Sequence, residues 1–167
     1  MFEEFTESAR GVVVRAEDEA RTARHTAVES EHVLLGLFGD QDGIAGRVFA
    51  AVRITIEPAR DLVRKRLGTG PRSSPDGPIP FSPDARRVFG LASRLALAMG
   101  EPVDTQHILL AITRLSDCGA YRVLRALDVD PNVVRFEIKQ RSWPAPDRGT
   151  GPSAPEVRHV RSAPLRR

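Results

Sequence analysis

The chain has 167 residues, 41% hydrophobic and 28% charged, which fits one compact domain or two small ones. Only 5% of residues are aromatic, so the core must rest on aliphatic side chains, and a single cysteine, Cys118, excludes an intrachain disulfide or a cysteine-rich metal site. The net charge of +3 is uneven: from Arg141 onward six arginines face Asp147 and Glu156, so residues 1–140 sum to −1 and the basic character is no argument for a nucleic-acid-binding body.

The chain opens on "MFEEFTESAR", acidic and polar, which does not read as a secretory signal. No apolar run approaches the roughly 20 residues that span a bilayer, and a cytoplasmic protein is expected. Thr6 is placed to cap a first helix, in which positions 9, 12, 13, 16, 20 and 23 recur at helical spacing. Ser30 starts a second helix through about Phe38, stopped by Gly39. "GIAGRVFAAV" supplies a third, and Thr55 caps a fourth that admits Pro58 only in its first turn.

Residues 68–80, "GTGPRSSPDGPIP", punctuate the chain and read as a linker. Ser82-Pro83 is then a strong helix start. At an offset of 76 residues, Phe5-Thr6 falls on Phe81-Ser82, Ala9-Arg10 on Ala85-Arg86 and Val12 on Val88. Thereafter an offset of 75 pairs His32 with His107, Leu34-Leu35 with Leu109-Leu110, Asp42 with Asp117, Arg47-Val48 with Arg122-Val123 and Arg60 with Arg135. The predicted architecture is all-α, an internal duplication: a four-helix repeat over 1–67, the linker over 68–80 and a second repeat over 81–141. Each repeat is small for burying its apolar faces alone. Residues 142–167, with five prolines and few apolar side chains, read as a disordered basic tail.

The stretches "MFEEFTESARGVVVRAEDEA", "SEHVLLGL" and "IPFSPDARRVF" resemble the N-terminal domain of Clp-family unfoldases, above all ClpC, over about residues 1–140. The resemblance implies a pseudo-two-fold helical domain that receives substrates and adaptors ahead of ATPase rings. The chain itself has no G-x-x-x-x-G-K-[ST] loop, and neither of its lysines, Lys65 and Lys139, follows a glycine. What is expected is therefore a free-standing N-domain with no cofactor and no enzymatic activity.

Two readings of Glu31 stand side by side. A carboxylate in the first turn of a helix behind a capping serine is favourable against the helix dipole and stays exposed there. By resemblance, Glu31 instead holds the guanidinium of phosphoarginine, a job that suits an acceptor of paired N–H bonds. The same resemblance gives the phosphate to the helix starts at Thr6 and Ser82, with Arg10 and Arg86 one turn on, against plain capping and solvated arginines. Gln106 stands where the family has glutamate, so a second site is weakened or lost.

His32 and His107 have no neighbouring ligands at metal spacing and are expected to be structural. Cys118 lacks an activating base. Phe2 and Phe81 match aromatic positions where family N-domains dock cyclic-peptide antibiotics, or else they close over the core. The leading expectation is a protein-binding module for clients, adaptors or Clp subunits, as accessory or decoy. A sequestering protein for a peptide antibiotic or small molecule is the second. A nucleic-acid-associated regulator anchored by the tail is the third.

Overall fold

The computed structural model describes residues 2–71 and 77–142. Among these are eight helices and no strand: α1 (Glu7–Thr22), α2 (Ser30–Leu37), α3 (Ile44–Ala51), α4 (Ile56–Leu67), α5 (Pro83–Met99), α6 (Thr105–Arg114), α7 (Gly119–Ala126) and α8 (Pro131–Ser142). The all-α expectation is met. The predicted tail from residue 143 onward lies outside the described residues, as does the middle of the predicted linker, 72–76.

Most predicted boundaries have the expected cause. The Thr6 hydroxyl accepts from the Ala9 amide at 3.1 Å, and that of Ser82 from Ala85 at 3.2 Å with Pro83 opening α5. Pro58 falls third in α4, where its missing N–H costs no helical bond. Two caps differ from expectation. Thr55 precedes α4, but its side chain caps nothing. Ser30 is the first residue inside α2, and the capping position belongs to Glu29.

α2 and α6 are the central helices. Every residue of Ser30–Leu37 is buried, and so is Thr105–Thr113 in α6. Covered on all sides, α2 needs no amphipathic stripe, and "SEHVLLGL" carries only a weak one. α1 lies close on α2, and a Cβ on Gly36 would stand 2.6 Å from the Val12 carbonyl oxygen. Ala9, Ala16 and Ala20, all fully buried, keep the rest of that α1 face low.

The two halves are interlocked. Phe5 pairs with Val103 just ahead of α6, and Val28, just ahead of α2, pairs with Phe81. The entry to the first helix of each half is thus pinned to the entry of the other half's second helix. Four phenylalanines close this junction: Phe2, Phe5 and Phe81 all pack edge-on or tilted against Phe89, at centroid distances of 5.3, 6.0 and 5.6 Å. α2 also packs on α7, and α3 on α6 and α8, so one core runs through both halves.

Candidate functional site

Because the halves interlock, the predicted site residues group across the duplication. Ser82 N donates to Val28 O at 3.0 Å, which sets the start of α5, with Arg86, against the start of α2, with Glu31. Thr6 N donates to Val103 O at 2.9 Å, which sets Thr6 and Arg10 against the start of α6, with Gln106.

Glu31 is not the exposed first-turn carboxylate that one of its readings expects. It is 4% exposed and turned inward. Its Oε2 accepts from the Ser30 hydroxyl at 3.0 Å, and Ser30 Oγ in turn accepts from the Ala120 amide at the start of α7, at 3.1 Å. Its Oε1 accepts from Nε of Arg66, which reaches in from the last turn of α4 at 3.0 Å. The carboxylate fits because residue 119 is glycine: a Cβ there would lie 1.9 Å from Oε1 and 2.1 Å from Cδ. Three helices therefore make one seat, with the carboxylate from α2, the space from α7 and a guanidinium from α4. The Arg66 side chain stays about one-third exposed (35%), so the seat has one side toward solvent.

The other half does not reproduce this seat. Gln106 is 8% exposed and its Oε1 has no hydrogen-bond partner. Arg141, 75 residues after Arg66, bonds Glu137 on its own helix instead. α6 packs on α3, where the position equivalent to Gly119 is Ile44. Gln106 borders an apolar groove of about 560 Å³ between α5, α6 and α8, with Met99, Leu110 and Ile138.

The expected phosphate donors are already engaged. The Thr6 hydroxyl caps α1 and donates to Asp104 Oδ1 at 2.9 Å, so an anion already stands at that helix start. Ser82 caps α5 with no carboxylate bonded to it. Arg10 donates to the carbonyls of Phe2 (3.4 Å) and Glu3 (3.2 Å), and Arg86 to that of Phe81 (2.9 Å). Phe2 and Phe81 are half-buried and meet edge-on at 5.7 Å, at the rim of the aromatic junction.

The motif histidines are held by their own helix starts. His32 Nδ1 accepts from the Glu29 amide at 2.9 Å and His107 Nδ1 from Asp104 at 3.0 Å, which places the proton of each neutral ring on Nε2. His32 then donates to His25 Nδ1 at 2.9 Å, and His25 Nε2 donates to Gly68 O at 3.1 Å. Burial, helped by His25, pushes the His32 pKa down to about 4. Burial also lowers that of His107, against the pull of Glu101 and Asp104. Desolvation pushes the Cys118 thiol up, away from reactivity. No three His, Cys, Asp or Glu side chains gather as a metal would require among the described residues.

This geometry, an interlocked duplication with its motif glutamate at a helix start, agrees with the sequence comparison. The model of the Clp repeat (R) N-terminal domain matches residues 4–127. The chain belongs to the Clp repeat N-terminal domain family. It is 39% identical over 139 residues to the chloroplastic chaperone protein ClpC1 of Oryza sativa subsp. japonica. It is 38% identical over 141 residues to the ATP-dependent Clp protease ATP-binding subunit ClpA homologue of Porphyra purpurea. These matches cover 83% and 84% of this chain, which spans only 15% and 17% of those relatives' length. Among solved structures, the N-terminal domain of ClpD from Arabidopsis thaliana superposes with a TM-score of 0.70 at 26% identity, over 85% of this chain and 96% of that one. The Hsp104 N-terminal domain from Candida albicans shares the fold at a TM-score of 0.69 and 18% identity, over 84% of this chain and 92% of that one.

Sequence reasoning singled out Glu31 and Gln106 but missed Arg66, Gly119 and Asp104. A signal for the glycine was present. At the 75-residue offset the pairs Glu31/Gln106 and Ile44/Gly119 both change, and the small residue stands in the opposite half from the acid. Arg66 gave none, since its equivalent Arg141 is also arginine. No helix is long and apolar enough to cross a membrane among the described residues.

Proposed function

We propose that this Clp N-domain is a non-enzymatic protein-binding module of the Clp chaperone–protease system, which receives substrate or adaptor proteins and recognises arginine-borne marks, phosphoarginine foremost, through Glu31. One observation carries the ligand class: the Glu31 carboxylate is holding a guanidinium, that of Arg66, in a pocket shaped by Gly119 and braced by Ser30. A carboxylate oxygen facing a planar cation is the chemistry that arginine recognition needs. On this reading the dominant site is the Glu31–Ser82–Arg86 side. The Gln106–Thr6–Arg10 side lacks the carboxylate and already carries Asp104 at its helix start.

A binding role rather than a catalytic one is supported by how the reactive groups are used. The histidines complete helix starts, and Cys118 is buried with a raised pKa. The 167 residues also contain no nucleotide-binding phosphate loop. Phe2 and Phe81, half-exposed at the junction, offer the same module an apolar contact for partners.

Titration calorimetry with phosphoarginine tests the reading. One dominant site per chain is expected, with Glu31→Gln weakening it about tenfold to a hundredfold, the range for hydrogen bonds to a charged group. Absence of heat, or two equal sites, refutes it. Recovery of Clp ATPase or arginine-phosphorylated proteins on the immobilised chain is the outcome expected from native lysate.

A further inference from the structure

We propose that the apolar groove beside Gln106 is a docking site for this chain's own segment 143–147, "WPAPD", with the Trp143 ring as its anchor. Nothing in this contact depends on a ligand at Glu31.

The groove between α5, α6 and α8 holds about 560 Å³, the size of a small-ligand site. Met99, Leu110 and Ile138 line it, and Met99, in the last turn of α5, is left half-exposed. Two polar groups in it lack a bond. Gln106 is 8% and His107 0% exposed, yet Gln106 Oε1 and His107 Nε2 have no hydrogen-bond partner among the described residues. Nε2 carries the His107 proton, and Glu101 Oε2 stands 3.4 Å from it, beyond the usual 2.7–3.2 Å. An occupant must therefore bring an N–H for Gln106 and a carbonyl for His107, within an otherwise apolar body.

The first half shows what fills the equivalent place. There His32 matches His107, Leu35 matches Leu110 and Val63 matches Ile138, in a groove of about 390 Å³ that Gly68 and Thr69 also line. His32 Nε2 bonds His25, and His25 Nε2 bonds the carbonyl of Gly68, the first residue after α4. Gly70 N then donates to Ala23 O at 3.0 Å. The chain that leaves α4 thus folds back over the groove and completes the chain of bonds from the motif histidine. In the second half Glu101 stands in the place of His25, since each donates its amide to an alanine carbonyl five residues back. Trp143 stands in the place of Gly68, 75 residues on.

The segment has the chemistry the groove lacks. An indole is a large apolar body with one N–H, which suits Gln106 Oε1. Ser142 lines the groove, so Trp143 follows from its edge, and Pro144 disfavours a helical backbone at Trp143 and turns the chain off α8 there. Pro144 and Pro146 carry no N–H, which spares an apolar groove two donors and still offers carbonyls to His107. Charge agrees: Arg114, Arg135 and Lys139 line the groove against Glu101 alone, and the segment carries −1 through Asp147. Asp147 is five residues past Ser142, a reach of up to about 17 Å. A tethered segment competes at an effective concentration on the order of millimolar, so a partner gains this face only by displacing it.

Trp143 is the only tryptophan in the chain, so its fluorescence reads the contact in the full-length protein. The parent's emission should be blue-shifted from that of N-acetyltryptophanamide, independent of protein concentration, and quenched several-fold more weakly by acrylamide. Met99→Glu puts a carboxylate into the groove at a half-exposed position. It should move emission and quenching most of the way to those of the free amide, with the circular dichroism of the helices unchanged. Gln106→Leu removes the acceptor alone and should shift the indole N–H resonance in NMR spectra; it carries the test if the Met99 variant does not fold. Emission of the parent like that of the free amide overturns the docking. So does a blue-shifted emission that neither variant alters, which places Trp143 elsewhere. A blue shift that vanishes on dilution puts the segment in a second copy's groove and overturns the contact within one chain. Phosphoarginine titration of Met99→Glu should match that of the parent, so this contact and the Glu31 reading can each fail alone.

Discussion

Gly119→Ala probes the seat without touching either charge. The added methyl carbon would stand 1.9 Å from Glu31 Oε1 and 2.3 Å from Oε2, so the carboxylate must leave the gap. Leaving it, Glu31 loses Arg66 and the Ser30 hydroxyl together. Breaking a fully buried pair costs about 3–5 kcal/mol. Here Arg66 is a third exposed and rehydrates when released, so about 2–3 kcal/mol is the better expectation. Against that, alanine improves on glycine by at most about 0.8–1 kcal/mol, the helix-interior value, since Gly119 is the first residue of α7. The net is a loss of roughly 1–2 kcal/mol, or about 3–8 °C in Tm for a domain of this size. The assay is urea denaturation of four proteins: parent, Gly119→Ala, Glu31→Ala and the double variant. In the Glu31→Ala background the methyl meets no carboxylate, and Gly119→Ala should become neutral or stabilising by up to about 1 kcal/mol. Equal destabilisation in both backgrounds would show that the glycine protects something other than Glu31, and the account of the seat would be wrong.

Stability should fall as pH drops from about 6.5 to about 4. His32 is held neutral in the fold, with its pKa near 4, while the unfolded chain takes up a proton below 6.5. The effect is on the order of 3 kcal/mol when complete, and His107 adds a loss of the same sign; a flat pH profile of denaturant midpoints between 4 and 6.5 would refute it. Phe89→Ala should cost about 3–5 kcal/mol, because Phe89 is 1% exposed and touches Phe2, Phe5 and Phe81. The same variant should loosen both halves together in hydrogen exchange, and protection lost from α1–α4 alone would contradict the single shared core. Phe81→Ala, at the half-buried rim, should cost less than half as much by the same measurement.

The sequence read most of the fold and half of the site. Period and capping chemistry located the helices, since Thr6, Ser82 and Pro83 act on amides three residues away or on their own backbone. Their range is short, and so is the inference. Caps that depend on more than the local residue type were misread. Ser30 looked like the cap of α2, but its hydroxyl serves Glu31 and the Ala120 amide, 90 residues away. The histidines were readable as structural because Nδ1 bonds an amide three residues back, again a local event.

What the sequence determined by itself is the duplication and its asymmetry. A constant offset needs no coordinates, and Gln106 in the place of Glu31 is visible as a missing charge. The burial of Glu31 was decided only in three dimensions. An offset says which residues are equivalent, not which face one another, and this fold sets α2 of one half against α7 of the other. That crossing brings Gly119 to Glu31 and lets Arg66 close the seat, through contacts spanning 88 and 35 residues of sequence. Periodicity cannot report contacts of that span, because it describes one helix at a time, whereas the fate of a buried charge depends on every helix packed around it.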